Sequence, residues 1–388
     1  MKIDRRSFLA MGIGLAAGTA LSPLPWKLTD DVSIWTQNWP WTPVPENGDV
    51  SIENSVCTLC PGGCGISVRK INDRIVKIEG TPAHPVNNGG ICALGISGPQ
   101  FLYGPSRIKS PMKRSGNRGD GKWTPISWDD AMGEVVNHLN ELAKAGKQEG
   151  IACISDTDRG TVPQLFKRLL SLMGSPNFMT SPSMSESNDV IFRKMHGTTA
   201  GFDMGYDVEN ADFIISFGSG IIEGWGSPVR MIKARTGWKA KKARLIQAEQ
   251  RLSNTASAAN GLVALKPGTE ADFALGMAAV IIDEGLYNKS FVSGSSKGFD
   301  EFSALLKQSY TPQAVAEKTG VQPQLIVTLA RQFASSTSMA VCGRGKGQTT
   351  GSMREFMAVH ALNALAGRVN SKGGVIAVET PDYIPWVN

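Results

Sequence analysis

The sequence predicts an α/β protein, with a small β-rich segment over residues 50–110 leading into doubly wound α/β domains over residues 111–388. Three observations predict it. Short apolar runs such as Ala211 to Gly218 and Met339 to Cys342 end in glycine-rich turns ahead of stretches with helical periodicity, as strands feeding helices do in an open sheet. On both sides of Asn72-Asp73, apolar and polar residues alternate, which reads as a β-hairpin. Four of the six cysteines, at positions 57, 60, 64 and 92, fall in the same early segment. With 388 residues, 41% of them hydrophobic and 19% charged, the chain has ample material for a large core. A formal net charge of +6 is modest and argues against a nucleic-acid partner.

The N-terminus reads as an export signal over residues 1–26. Asp4-Arg5-Arg6-Ser7-Phe8-Leu9 is followed by the apolar, glycine- and alanine-rich run from Ala10 to Leu21, then Ser22-Pro23. Consecutive arginines followed by Phe-Leu resemble a twin-arginine signal, an address for proteins exported already folded. Twelve apolar residues fall short of the roughly 20 that span a bilayer, so a membrane anchor does not fit. The expectation is a periplasmic protein that meets the membrane through partners. Residues 27–49 read as an extended arm. Paired cysteines in an oxidising compartment become disulfides, but a chain exported after folding can keep a metal group assembled beforehand.

The cysteine segment follows. Its spacing is Cys57-x2-Cys60-x3-Cys64, with Cys92 after a further 27 residues. Close thiolates on a tight loop grip one side of a metal group and a distant fourth closes the cage; soft sulfur donors suit iron–sulfur or zinc. Glycines in Cys60-Pro61-Gly62-Gly63-Cys64-Gly65 let the backbone turn sharply and approach sulfur. The hairpin after Cys64 would bring Cys92 back toward the other three. Disulfides between cysteines three or four apart would close strained loops, and zinc ligands come as two short Cys-x2–4-Cys units. The favoured reading is one iron–sulfur cluster on Cys57, Cys60, Cys64 and Cys92, in a protein of electron transfer. Cys153 and Cys342 lie in strand-like apolar runs and read as buried, inert thiols.

Beyond residue 110, Gly150 to Ser155 reads as a short apolar strand and Val162 to Met173 as a helix ending at Gly174. Ala211 to Gly218 and Ala243 to Ala248 read as buried strands, Asp272 to Glu284 as a helix, Met339 to Cys342 as a strand, and Met353 to Gly367 as a helix. Strands ending in glycine-rich turns are where doubly wound folds bind nucleotides, though such turns also cap strands that bind nothing.

The cysteine spacing, followed by Gly95, resembles the N-terminal [4Fe–4S] domain of the molybdopterin oxidoreductases, the dimethyl sulfoxide reductase superfamily. Pro111-Met112-Lys113-Arg114, Trp123 to Ala131, Gly174-Ser175-Pro176-Asn177, Lys266-Pro267-Gly268-Thr269-Glu270 and Ala361 to Gly367 are similar to the same family. Within it, Trp35 to Trp41 and Gly90 to Gly95 most resemble the molybdopterin-binding-like large subunits of periplasmic menaquinone reductase complexes. The resemblance implies a [4Fe–4S] cluster and a molybdopterin guanine dinucleotide. It also implies partners: a ferredoxin-like iron–sulfur subunit, a multihaem cytochrome c and an integral membrane quinone-interacting subunit.

The family pattern breaks at several positions that carry its chemistry. Where members place Lys or Arg between cluster and pterin, this chain has Leu94; the usual Gly-x-Asn turn is Gly218-Ser219-Gly220; Asp-Pro-Arg appears as Glu249-Gln250-Arg251; and the Asp of Pro-Gly-Thr-Asp is Glu270. Ser185 aligns with the residue that ligates the family's metal, in a segment that also reads as a solvated loop. Family members continue for several hundred residues into a β-barrel-like domain, so a chain ending at Asn388 is expected to lack it or to be a fragment. These departures favour a cluster-bearing, non-catalytic subunit serving menaquinone reduction from a periplasmic cytochrome. If the pterin is lost, apolar packing that includes Leu94 should seal the space beside the cluster. The alternative is an active molybdenum or tungsten bis-pterin oxidoreductase of the formate dehydrogenase or polysulfide/thiosulfate reductase type, with Ser185 on the metal.

Overall fold

The computed structural model describes residues 4–21, 48–60, 62–157, 160–181, 184–197, 202–345 and 352–379, with backbone alone at 20–21, 184–189 and 344–345. The Trp35 to Trp41 lead-in and nearly all of the expected 27–49 arm lie outside the described residues. The chain divides into two units, one of residues 1–55 and 67–78, the other of residues 56–66 and 79–388.

The first unit holds helix α1 (Arg5–Leu21) and most of a three-stranded sheet ordered β1 (Val50–Val56), β2 (Gly65–Ile71), β3 (Arg74–Gly80). Asn72 turns the β2–β3 hairpin with φ 51°, a left-handed conformation that Asn tolerates better than most residues. Its side chain accepts from the Asp49 amide, and its own amide donates back to the Asp49 carbonyl. Lys70 pairs with Glu53 at 2.5 Å. Phe8, Leu9, Ile13 and Leu15 of α1 are exposed. Among the described residues, no helix is long and apolar enough to cross a membrane.

The second unit begins with two short helices, α2 (Ala93–Ile96) and α3 (Gly98–Tyr103), and an antiparallel pair, β4 (Met112–Arg114) with β5 (Trp123–Pro125). Helix α4 (Trp128–Lys144) opens where Ser127 Oγ accepts from the Asp130 amide. Next come β6 (Ala152–Ser155), α5 (Thr161–Met173) and β7 (Asn177–Thr180), whose strands pair in parallel. They are followed by α6 (Met184–His196), β8 (Phe202–Tyr206), β9 (Phe213–Ser219), α7 (Pro228–Lys241), β10 (Arg244–Glu249), α8 (Asn254–Ala258) and β11 (Gly261–Ala264). A run of helices then leads to the last strands: α9 (Glu270–Asp283), α10 (Lys289–Ser295), α11 (Phe299–Ser309), α12 (Pro312–Thr319), α13 (Pro323–Ser335), β12 (Ser338–Gly345), α14 (Met353–Leu365) and β13 (Val375–Glu379).

The centre of this unit is a parallel sheet in the order β11-β10-β9-β12. β9, β10 and β12 are mostly buried because both faces are covered there, while the edge strand β11 is partly exposed. Ile214, Ile215 and Phe217 of β9 are fully buried, as are Phe273, Met277 and Ile281 of α9, and Phe217 meets Phe273 at 5.9 Å between ring centroids. The chain winds outward from β9 through β10 to β11, then returns to the other side of β9 as β12. The switch point therefore lies between β9 and β12, and the crevice position of doubly wound folds is beyond their C-terminal ends.

One strand departs from expectation. β6 is not a buried apolar strand: Cys153 is half-buried and Ile154 is 78% exposed. Among the described residues β6 has only β7 beside it, and Val162, Leu165, Phe166, Leu169 and Leu172 of α5 are exposed as well. Cys342 in β12 is buried, as its apolar run requires.

Candidate metal centre

The three-cysteine loop closes on itself, with the Cys57 amide donating to the Cys64 carbonyl at 2.8 Å. Gly63, at φ +59°, makes the turn, and at Gly62 the loop comes so close that an added Cβ would meet Cys60 Sγ at 3.3 Å and Ser227 Oγ at 3.4 Å. Asn87, wholly buried, staples this loop to the approach of Cys92. Its Nδ2 donates to the carbonyls of Gly65 at 2.9 Å and Gly90 at 2.6 Å, and its Oδ1 accepts from the Gly65 amide at 2.9 Å. From α7, Lys233 Nζ donates to the Asn87 carbonyl at 2.7 Å and the Asn88 carbonyl at 2.6 Å. Cys92 sits at the N-terminal boundary of α2.

All six cysteines are free thiols, which removes the disulfide reading. Cys64 is buried, and Cys57, Cys60 and Cys92 are half-buried. Burial pushes the Cys64 thiol above its ordinary value; the Ser227 hydroxyl, 4.0 Å from its sulfur, opposes the rise, and negative charge on Cys60, Cys57 and Cys92 adds to it. Among the described residues, no group of three His, Cys, Asp or Glu side chains is placed to hold a metal ion. Four soft thiol donors on one segment suit an iron–sulfur cluster by their chemistry.

At the strand-end crevice some polar groups engage one another, while Ser219 Oγ and Gln247 Oε1 are buried with no partner among the described residues. Ser216 Oγ and Gln247 Nε2 each donate to the Ser219 carbonyl at 3.1 Å, fixing the turn after β9. Glu249 accepts from Ser253, and Glu270 accepts from Gln250. Glu223 accepts from the Thr255 hydroxyl at 2.7 Å and the Thr255 amide at 3.1 Å; burial raises its pKa, but these bonds, the Asn254 amide and Arg251 outweigh it and hold the carboxyl below its ordinary range.

Leu94 corrects an expectation. It is 46% exposed and seals nothing. Leu94 lies in a four-residue helix that begins at Ala93, and Gly95 is that helix's buried residue. Ser185 falls in the first turn of α6, and its side chain lies outside the described residues.

Residues 51–104 match the family model for the molybdopterin oxidoreductase Fe4S4 domain, and residues 107–380 match that for molybdopterin oxidoreductase. The chain belongs to the molybdopterin oxidoreductase family. Its early cysteine segment accordingly lies in a [4Fe–4S] domain. Among relatives, it is 36% identical to the menaquinone reductase molybdopterin-binding-like subunit of Nitratidesulfovibrio vulgaris, over 97% of this chain and 53% of that protein. It is 32% identical to the thiosulfate reductase molybdopterin-containing subunit of Salmonella typhimurium, over 97% of this chain and 48% of that one. The solved acetylene hydratase from Pelobacter acetylenicus superposes with a TM-score of 0.70 at 25% identity, over 84% of this chain and 44% of that one. The chain thus spans about half the length of the curated relatives it matches.

The family allows a molybdopterin cofactor, and the residues at this crevice fit it only in part: Ser219 Oγ and Gln247 Oε1 are open to it. The carboxylates of Glu249 and Glu270 are already bonded to Ser253 and Gln250, and Leu94 supplies neither charge nor a hydrogen bond. Asn87, Lys233 and Ser227 escaped the sequence reading. Only the run Asn87-Asn88-Gly89-Gly90 carries a signal, as a cluster of turn residues just before Cys92.

Proposed function

We propose that this chain is the cluster-bearing, non-catalytic subunit of an exported respiratory complex, passing electrons from a periplasmic cytochrome c toward menaquinone in a membrane partner. The reading rests on one pairing: an intact four-cysteine segment in a chain that departs from the family's pterin-binding pattern at Leu94, Gly218-Ser219-Gly220 and Glu249-Gln250-Arg251. The match to a menaquinone reductase subunit along 97% of the chain supports it. Quinone chemistry belongs to a membrane-embedded partner, and a ferredoxin-like subunit would carry electrons between the two. The twin-arginine pattern supports export of the folded, cluster-loaded chain.

A second reading, an active molybdenum or tungsten enzyme with Ser185 on the metal, is favoured by the 32% identity to the thiosulfate reductase subunit. Elemental analysis of protein purified from its native host decides between them. About four irons per chain, with no stoichiometric molybdenum or tungsten, is the expected result, together with the broad absorption of a cubane cluster. One molybdenum or tungsten per chain overturns the non-catalytic reading. Cys60→Ala should abolish the cluster absorption; an iron-replete variant would remove Cys60 from the ligand set.

A further inference from the structure

Ser227 stands at the start of α7, where serine is favoured because its hydroxyl caps a free amide of the first turn. Here the hydroxyl makes no capping bond. It lies instead 4.0 Å from Cys64 Sγ, at the place where Gly62 lets the cysteine loop pass within contact of Ser227. Two further contacts hold α7 against the neighbouring turn at residues 87–90, which leads to Cys92. Lys233 is bonded to two loop carbonyls, and Val229 packs so closely that a Cβ at Gly90 would meet its Cγ1 at 2.6 Å.

We propose that Ser227 is a positioning residue for the electron-transfer centre: its hydroxyl donates to the Cys64 sulfur and makes the cluster easier to reduce. The direction of the bond follows from the chemistry. A thiolate bound to iron carries no proton, so the hydroxyl must be the donor. Reduction adds one electron to the cluster with no bond made or broken, and negative charge on the sulfurs grows. A hydrogen bond to that sulfur is therefore stronger in the reduced state. The N-terminal end of α7 adds positive potential of the same effect. The inference rests on the assignment of the cluster to the four cysteines, not on the identity of the electron donor or acceptor.

The test is a potentiometric titration, followed by electron paramagnetic resonance, of the full chain reconstituted with iron and sulfide. Wild type is compared with Ser227→Ala, Ser227→Val and Ser227→Thr, and iron is counted in each. Thr keeps the hydroxyl, and Val has the shape of Thr without it. Ala and Val should each lower the equilibrium constant for reduction about three- to tenfold, tenfold being 59 mV for one electron, while Thr stays within about twofold of wild type. In D2O, the exchangeable deuteron coupling to the reduced cluster should weaken in Val relative to Thr. Iron lost from Ala and Val but kept by Thr would also place the hydroxyl on the cluster. Ala and Val at the wild-type potential with full iron, Thr shifted as far as Val, or iron lost from all three would each overturn the proposal. An iron-free wild type would overturn the cluster assignment itself, and the iron count tells that failure apart from the others.

Discussion

His196 of α6 and His360 of α14 meet Nε2 to Nε2 at 2.7 Å. The contact requires one donor and one acceptor. His360 is almost wholly buried and its Nδ1 has no partner, so a proton placed there would be wasted. The arrangement that uses both rings puts the His360 proton on Nε2, donating to His196 Nε2. Burial, reinforced by His196, lowers the His360 pKa from 6.5 to about 3, and burial lowers that of His196 too.

Both groups therefore bind protons less readily folded than unfolded. The stability they permit is complete above about pH 6.5 and is lost progressively as pH falls toward 3, because the unfolded chain takes up protons that the folded one refuses. Thermal melts from pH 8 to 5 should show a fall in Tm that begins near 6.5. His360→Gln, which keeps a donor but cannot titrate, should flatten that fall; an unchanged slope would remove the pair as its cause.

Asn87 should be the costliest residue of the cysteine segment to replace. Asn87→Ala leaves the Gly65 amide and the Gly65 and Gly90 carbonyls without their side-chain partner, at about 1–3 kcal/mol for a buried unsatisfied group. A Tm lowered by several degrees and loss of the cluster on gel filtration are the expected outcomes. A variant that melts with wild type would show that the staple is dispensable.

Leu94→Lys should be nearly silent. At 46% exposure the new ammonium reaches water, so the change should stay within about 0.5 kcal/mol and leave the cluster absorption intact. A large destabilisation would mean that Leu94 is covered in solution by a surface outside this chain.

Replacing Arg5 and Arg6 together by lysine should block export, because a receptor reads the pair and does not merely sense its charge. Cell fractionation measures this directly. Periplasmic accumulation equal to wild type would exclude the twin-arginine route.

Much of the fold was legible because its signals are local. The apolar runs at β9, β10 and β12 are buried on both faces and so lack polar alternation, and the Asn72-Asp73 turn sits where the alternation is interrupted. The [4Fe–4S] domain was legible from the cysteine spacing, and the match over residues 51–104 bears that out. β6 misled because a short apolar run looks the same whether or not other elements cover it. Asn87, Lys233 and Ser227 were hidden for a different reason: Ser227 meets Cys64 from 163 residues away, and Lys233 reaches Asn87 across 146. No periodicity marks a polar side chain whose partner lies that far along the chain.

The order β11-β10-β9-β12 also sets a timetable for synthesis. Phe213 of β9 pairs with Ser338 of β12, so until that last strand leaves the ribosome, β9 is an open edge with unpaired amides and carbonyls. Pairings between such distant segments form slowly and leave apolar surface exposed meanwhile. The crevice between β9 and β12 cannot exist on a nascent chain that has not reached Gly345. Any group destined for that crevice must therefore load after translation of the sheet, whereas the loop bearing Cys57, Cys60 and Cys64 emerges from the ribosome far earlier.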